Sequence, residues 1–238
     1  MKYINPNNLY DFAFLNEDTL VRPLKAVCIC FHGFTDGSTF DKSGAEAKLL
    51  GEHGIAWVFP YYSVWAWMSP SSQEFNEQVL DAVYEKLGAD ETVPLIVSGG
   101  SMGGFTALNY LVHGRRKAIG CAANCPVTDF KRYFDDVPYG RRAVLSAHIE
   151  NPAPLEDVLK MYSPVHCADK LPKVKYFFLF GGNDPYITDI YMPLITEKLD
   201  EYGHDYDVLV QPGMAHCDYG NHPAAFEAYC NFIISLTK

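Results

Sequence analysis

The sequence has few positive charges for its length and no long apolar run. Its 19 Lys and Arg residues are outnumbered by 29 Asp and Glu residues, and the formal net charge is -10. An acidic surface repels nucleic-acid phosphates and anionic lipid head groups, so neither a nucleic-acid partner nor a membrane partner is expected. No stretch approaches the roughly 20 apolar residues that span a bilayer. Residues 1–8 also lack the apolar centre of a signal peptide.

The sequence lacks a regular cysteine pattern as well. Its seven cysteines are an odd number without even spacing, which does not suit the disulfide framework of a small secreted domain. Cys28 and Cys30 fall in one apolar run, where alternate residues share a face of a strand. We therefore expect reduced core thiols and a cytoplasmic location.

Apolar segments of two kinds alternate along the chain, which is 48% hydrophobic and 20% charged. Strand-like runs followed by helix-like segments predict a mostly parallel central sheet with helices on both faces, in one α/β domain over residues 1–238. The predicted strands are Lys25–Phe31, Ile55–Phe59, Val93–Ser98, Ala118–Ala123, Val174–Phe180 and Tyr206–Val210. The predicted helices are about Lys42–His53, Ser72–Leu87, Phe105–His113, Tyr191–Tyr202, starting near Pro193, and Pro223–Leu236.

The segment from Pro126 to Pro172 interrupts this alternation. It is rich in charge, proline and aromatic residues and lies between two predicted strands. We interpret it as a small lid-like insertion over the carboxyl edge of the sheet, where open α/β sheets bind ligands. The alternative is a surface excursion without a role in substrate binding.

A candidate nucleophile follows the third predicted strand. The segment Gly99–Gly103 reads G-G-S-M-G and matches G-x-S-x-G, with a strand before it and a helix after it. A turn this tight strains the serine backbone and lifts its hydroxyl above the sheet at a helix N-terminus. We favour Ser101 as a nucleophile over a glycine-rich turn capped by serine.

A candidate oxyanion hole follows the first predicted strand, at His32, Gly33 and Phe34. Two backbone amides aimed at a developing oxyanion stabilise acyl transfer by about 3–4 kcal/mol each. The N–H groups of Phe34 and Met102 are the candidate donors, and His32 is interpreted as a structural residue of the loop. The alternative is an ordinary turn at a strand end.

Two further side chains complete a possible triad. His216 lies after the last predicted strand, where the loop returns to the carboxyl edge of the sheet; His222, beside a predicted helix start, is its rival as the base. Asp184 follows the most apolar strand through a glycine-rich turn and is the candidate acid; Asp189 and Asp218 are its rivals. The resulting order of serine, aspartate and histidine is the order expected of α/β-hydrolases.

Four aromatic residues follow the second predicted strand and are candidates for a substrate pocket: Tyr61, Tyr62, Trp65 and Trp67. Aromatic planes suit sugars or aromatic acyl groups. Ordinary packing under the insertion explains the same residues equally well.

Taken together, these motifs resemble the α/β-hydrolase superfamily. The motifs on which this resemblance rests are GGSMGG at 99–104, HGF at 32–34, GGNDPYI at 181–187 and GMAH at 213–216. The segment Tyr162–Leu171 is similar to the approach to the acid in the prolyl-oligopeptidase-like and cinnamoyl-esterase-like branches. The chain departs from the pattern in its HGF loop, which is not HGGG, and in an N-terminus that looks too short for the usual first two strands.

This resemblance implies a serine hydrolase that needs neither a metal nor an organic cofactor. It implies Ser101, Asp184 and His216 as the triad, with Phe34 and Met102 as backbone donors. The expected activity is carboxylesterase action on a small, carbohydrate-linked or aromatic ester through an acyl-enzyme. An aminopeptidase-like amide hydrolase and a non-catalytic binding protein on the same scaffold are the alternatives.

Overall fold

A seven-stranded sheet forms the centre of the computed structural model, which describes residues 3–34 and 44–238, with the backbone alone at 188 and 189. The strands are β1 (Ala13–Leu15), β2 (Ala26–Phe31), β3 (Ile55–Pro60), β4 (Leu95–Gly100), β5 (Ala118–Asn124), β6 (Lys175–Gly181) and β7 (Asp205–Gln211). Their spatial order is β1-β3-β2-β4-β5-β6-β7. All neighbouring strands in this order are parallel except β1 and β3. The six predicted strands and the mostly parallel sheet are therefore confirmed.

The strand β1 is the part of the sheet that the sequence did not predict. It pairs antiparallel with β3 at the edge, and Phe14 lies opposite Phe59. Three residues are too few to show the period-2 alternation by which a strand is recognised. Its two end residues, Ala13 and Leu15, are buried, so packing on the core rather than propensity holds this strand in place.

Eight helices lie around the sheet in the described part of the chain. They are α1 (Ala45–Glu52), α2 (Pro70–Leu87), α3 (Met102–His113), α4 (Phe130–Asp136), α5 (Pro138–Ala147), α6 (Leu155–Met161), α7 (Thr188–Tyr202) and α8 (Pro223–Ser235). Strands β2 and β3 are buried at every residue. Because alternate strand residues face opposite sides, this burial shows that helices cover both faces of the sheet.

Two helix starts differ from the sequence prediction. Helix α3 begins at Met102, directly after Ser101, and not at Phe105. Helix α7 begins at Thr188, so Pro193 lies inside it and removes one intrahelical hydrogen bond. Buried Tyr191, whose carbonyl accepts a 2.7 Å hydrogen bond from the Thr128 hydroxyl, anchors its first turn. The start of the first predicted helix, at 42 and 43, lies outside the described residues.

The inserted segment between β5 and β6 contains α4, α5 and α6. Its anchor is Phe130, which is fully buried with ring centroids 4.5 Å from Phe105 and 5.3 Å from Trp67. Further along, the ring centroid of Tyr139 lies 6.2 Å from that of Phe34. Phe34 is three residues past the end of β2. The insertion therefore borders the carboxyl edge of the sheet, and its movement as a lid stays a prediction.

The strand order of the sheet reverses between β2 and β4. From β2 it passes to β3 on one side, and from β4 it passes to β5 on the other. The carboxyl ends of two such strands border a crevice in which open α/β sheets bind ligands. Among the helices described, none is long and apolar enough to cross a bilayer.

Candidate active site

Ser101 occupies the sharp turn between β4 and α3. Its backbone has φ 56° and ψ -120°, a strained conformation for a residue with a side chain. Its N–H donates a 2.9 Å hydrogen bond to the carbonyl of Asn124, which ties the turn to β5. A β-carbon on Gly103 would lie 1.9 Å from the Phe31 carbonyl oxygen, so only glycine fits where α3 crosses β2. The last glycine of G-x-S-x-G is therefore required by the close approach of α3 to β2.

The loop after β2 runs beside this turn. A β-carbon on Gly33 would lie 3.8 Å from Cβ of Ser101. Phe34 follows in the chain and is half-buried. Met102 is the first residue of α3, so its N–H has no acceptor within the helix and lies at the positive end of the helix dipole. Both candidate donor residues are therefore neighbours of Ser101, and their use as an oxyanion hole stays a prediction.

His32 has a structural role in this loop. Its ring stacks on Tyr62 with centroids 3.7 Å apart, and its Nε2 donates a 3.0 Å hydrogen bond to the Tyr62 carbonyl. The Tyr62 hydroxyl in turn donates to the His32 carbonyl at 2.9 Å. Both residues are buried. The pair fixes the loop that carries Gly33 and Phe34.

His216 and Asp184 meet across the loops that follow β7 and β6. The Nδ1 atom of His216 lies 2.7 Å from Oδ2 of Asp184. The other carboxylate oxygen accepts hydrogen bonds from the backbone N–H groups of Tyr186 at 2.8 Å and Ile187 at 3.2 Å. The Asp184 side chain is fully buried, whereas the His216 side chain is 23% exposed. The carboxylate is thus held rigidly, and it fixes the orientation of an imidazole that reaches solvent.

The pKa values of this pair are displaced in opposite directions. Burial raises the pKa of Asp184, but the hydrogen bond and charge of His216 outweigh burial and leave the pKa below its ordinary value. For His216, burial lowers the pKa, but the hydrogen bonds with Asp184 and Cys125 and the charges of both outweigh it and raise the pKa to about 9. Asp184 is therefore arranged to stabilise a protonated imidazole.

The rivals of this pair are placed less favourably. His222 precedes α8, and its Nε2 lies 4.0 Å from Oδ2 of Asp218, a carboxylate whose side chain is 40% exposed. The Asp189 side chain is outside the described part of the structure. Among the predicted candidates for base and acid, the structure brings together His216 and Asp184.

Ser101 and His216 line one cavity of about 690 Å³. Its described walls also include the loop at Gly33 and Phe34. Aromatic side chains form much of the remaining wall: Trp57, Phe59, Tyr219 and Phe226. A cavity of this size holds a small organic molecule, and its aromatic walls favour planar or sugar-like groups.

The four aromatic residues predicted for the pocket lie behind this wall. Tyr62 and Trp67 are buried, and Trp67 packs 6.0 Å from Phe34. Trp65 is 44% exposed and stacks on Phe34 at 6.5 Å, and Tyr61 contacts the ring of Phe59 at 6.3 Å. None of the four is among the described residues that line the cavity. They support the wall residues, and direct substrate contact by them stays a prediction.

Sequence reasoning missed three residues beside Ser101, Asp184 and His216. Asn124, at the end of β5, lines the cavity, and within the described structure both polar atoms of its buried amide lack a hydrogen-bond partner. Cys125 and Cys217 also lie here, each with a positive φ, at 43° and 55°. Only their position in the chain could have indicated these residues. Asn124 and Cys125 follow the predicted strand Ala118–Ala123, and Cys217 follows His216.

Replacing Asn124 with leucine is expected to lower kcat/KM without lowering the melting temperature. A buried amide without a partner costs about 1–3 kcal/mol, so an apolar group of similar shape does not weaken the free protein. A polar group of a bound substrate would lose its partner, which costs roughly 10-fold or more in kcat/KM. Thermal unfolding and ester hydrolysis measured side by side test this. A fall in melting temperature with unchanged kcat/KM would contradict it.

Comparison with known proteins shows similarity of fold. No family model and no curated protein matches the sequence. Among solved structures, S-formylglutathione hydrolase from Agrobacterium tumefaciens superposes with a TM-score of 0.71 at 13% identity, covering 95% of this chain and 89% of that one. Esterase B from Lactobacillus rhamnosis gives 0.70 at 12% identity, covering 91% of this chain and 76% of that one.

A peptidase structure is equally similar in fold. The puromycin-hydrolysing peptidase of Mycobacterium tuberculosis gives a TM-score of 0.70 at 18% identity, covering 91% of this chain and 35% of that one. The chain thus spans about a third of the length of this peptidase and of a dipeptidyl peptidase 4 from Porphyromonas gingivalis. Together with the parallel sheet and its strand order, these superpositions show that the chain has the α/β-hydrolase fold, as the sequence motifs predicted.

Proposed function

We propose that this chain is a serine hydrolase that cleaves a small-molecule carboxylic ester through an acyl-enzyme. The observation that carries the proposal is the 2.7 Å contact between His216 Nδ1 and Asp184 Oδ2, beside a cavity lined by both His216 and the strained Ser101. An imidazole fixed at Nδ1 presents Nε2 as a base, which is what a serine hydroxyl needs to become a nucleophile.

In the first half of the proposed reaction, His216 removes the proton from the Ser101 hydroxyl, which attacks the ester carbonyl. Negative charge develops on the carbonyl oxygen. The N–H groups of Phe34 and Met102, with the dipole of α3, stabilise that charge. Asp184 stabilises the imidazolium without taking its proton.

In the second half, His216 gives its proton to the leaving alcohol, and the acyl group remains on Ser101. Water then enters, loses a proton to His216 and attacks the acyl carbonyl. The tetrahedral intermediate collapses, the acid leaves, and Ser101 regains its proton from His216. Besides the ester, this reaction requires water and the side chains and backbone amides named here.

The cavity wall supports an ester with an aromatic acyl group or a hydroxylated alcohol. Beside the aromatic rings, the wall carries Glu46, whose carboxylate accepts hydrogen bonds from Trp57 Nε1 at 3.2 Å and from the Tyr219 hydroxyl at 2.5 Å. Burial raises the pKa of Glu46. A carboxyl group held in this way can meet a substrate hydroxyl, so a carbohydrate-linked or aromatic ester is the proposed substrate class.

A panel of substrates tests this function. We expect p-nitrophenyl esters of graded acyl length and feruloyl esters to be hydrolysed, with kcat/KM higher than for amino-acid p-nitroanilides. Higher kcat/KM on the anilides would favour an amide hydrolase, the activity class to which the similar peptidase structures point. A chain that hydrolyses neither and resists fluorophosphonates would be a binding protein on a hydrolase scaffold.

The rate of ester hydrolysis is expected to rise with pH up to about 9. His216 acts as a base only when neutral, and its pKa is raised to about 9 from an ordinary value of 6.5. Below that pKa the imidazole is protonated, so kcat/KM falls tenfold for each pH unit. A pH profile of kcat/KM measures this directly, and a plateau already reached at pH 6.5 would contradict it.

A matched variant tests the cause of this raised pKa. Asp184, Cys125, Cys217 and the ring of Tyr186 are among the groups that face His216. The hydrogen bond and the charge of Cys125 are among the causes that raise the imidazole pKa. In Cys125→Ser the acid limb of the profile is expected to move to lower pH. In Cys167→Ser, a thiol outside this site, the limb is expected to stay in place.

A further inference from the structure

Three side chains that bind soft metal ions converge beside the nucleophile. Among the described residues, a ring nitrogen of His216 and the Sγ atoms of Cys125 and Cys217 all lie within 4.8 Å of one another. Cys217 Sγ is 3.8 Å from His216 Nε2. The proposed hydrolysis uses neither thiol. Cysteine and histidine together form the donor set that prefers Zn²⁺ among the common divalent ions.

The spacing of these atoms is close to that of a tetrahedral zinc site. Zinc bonds of about 2.3 Å to sulfur and 2.0 Å to nitrogen put neighbouring ligand atoms about 3.6–3.8 Å apart. The contact between Cys217 and His216 already has this length. The other two pairs, at no more than 4.8 Å, need to shorten by about an ångström at most to reach this spacing.

Asp184 gives this group the support that metal-binding histidines require. A histidine that binds zinc donates its other ring N–H to a carboxylate or carbonyl, which fixes the ring and makes the free nitrogen a better ligand. His216 Nδ1 makes this contact with Asp184 at 2.7 Å. Nε2 is therefore oriented for a ligand bond by the same carboxylate that orients it as a base.

An ion can reach these three atoms from the cavity. His216 and Cys217 both line its wall, together with Ser101, while Cys125 is fully buried behind them. The two thiols and the imidazole supply three ligands, which leaves the fourth tetrahedral position open to the cavity for water or the Ser101 hydroxyl.

We propose that His216, Cys125 and Cys217 form a binding site for Zn²⁺ that switches the hydrolase off. Each thiol releases its proton as its sulfur bonds to the ion, and the imidazole releases any proton held at Nε2 so that the Nε2 lone pair bonds to the metal. A bound Nε2 cannot accept the proton of Ser101, so catalysis stops while the ion is held. The inhibitory part of the proposal rests on the proposed hydrolase function, whereas the metal site itself does not.

Binding is measured without turnover by titrating the reduced, metal-free protein with Co²⁺. We expect one Co²⁺ per chain, the near-ultraviolet absorption of thiolate–cobalt charge transfer, and its loss when Zn²⁺ displaces the ion. Cys125→Ser and Cys217→Ser are each expected to weaken Zn²⁺ binding by roughly 100-fold or more, since even loss of a supporting partner costs 10- to 100-fold. Cys30→Ser is the matched control, because Cys30 lines the same cavity outside the cluster.

Inhibition is measured on each variant relative to its own metal-free rate. Zn²⁺ is expected to abolish ester hydrolysis by the parent and by Cys30→Ser, to spare both cluster variants, and to be reversed by EDTA. A Co²⁺ spectrum without thiolate charge transfer, or equal Zn²⁺ affinity in Cys125→Ser, would overturn the site. Thiolate-bound Co²⁺ in a chain that hydrolyses no ester would support the site and contradict the proposed hydrolase.

Discussion

If Ser101 is the nucleophile, Ser101→Ala is expected to lower kcat for a p-nitrophenyl ester by roughly a million-fold, the loss that removal of the nucleophile causes in a serine protease. The variant keeps the backbone amides of Phe34 and Met102 and the cavity, so a small rate above that of water remains. Alanine removes the hydroxyl group and leaves the backbone of the turn intact. The folded structure is therefore expected to persist, with a melting temperature close to that of the parent.

The control for this variant is a serine on β4, the strand that precedes the turn of Ser101. Ser98 is fully buried in β4, and its hydroxyl donates a 3.4 Å hydrogen bond to the Ile29 carbonyl. Ser98→Ala is expected to retain the kcat of the parent while losing some stability. If Ser101→Ala hydrolysed the ester at more than a hundredth of the parental rate, the hydroxyl of residue 101 would not be the nucleophile.

Asp184→Asn is expected to lower kcat by about 10⁴-fold, or about 5 kcal/mol, at neutral pH. The asparagine carbonyl oxygen can still accept the N–H groups of Tyr186 and Ile187 that now bond to Oδ1. Its amide then faces His216 with a donor, so Nδ1 becomes the acceptor and Nε2 carries the proton. An imidazole in that tautomer cannot accept the proton of Ser101.

The matched control for this acid is Asp207, an exposed aspartate on β7. Asp207→Asn changes the net charge by the same amount at a distance from the site, and its kcat is expected to equal that of the parent. Thermal unfolding of both variants separates loss of catalysis from loss of fold. Retention of a tenth or more of the parental kcat by Asp184→Asn would show that this carboxylate does not orient the base.

The fold was readable from the sequence because its signals are local. Buried parallel strands are short apolar runs, and a glycine after a helix, such as Gly88 with φ 63°, ends the helix in the left-handed conformation. The strand–serine–helix turn is visible in the sequence for another reason: the backbone oxygen of Phe31 admits no side chain at residue 103, so the motif must contain a glycine there. These features depend on neighbours in sequence or on one steric contact.

Other features depend on distant contacts and leave no such pattern. The strand β1 is held by its pairing with β3, and the first turn of α7 is anchored where Thr128 meets Tyr191. Cys125 lies 91 positions before His216 in sequence, and only the fold brings its thiol to His216 and Cys217. The contacts of the four predicted aromatic residues with the cavity wall, such as that of Trp67 with Phe34, also depend on the fold.

Fluorophosphonate labelling with mass mapping of the adduct tests most directly whether His216 and Asp184 make Ser101 a nucleophile. A single adduct on Ser101 is predicted in the parent and in Cys125→Ser, with no adduct in Ser101→Ala and much slower labelling in Asp184→Asn. An adduct that persists in Ser101→Ala, or that maps to any other residue of the parent, would contradict the account.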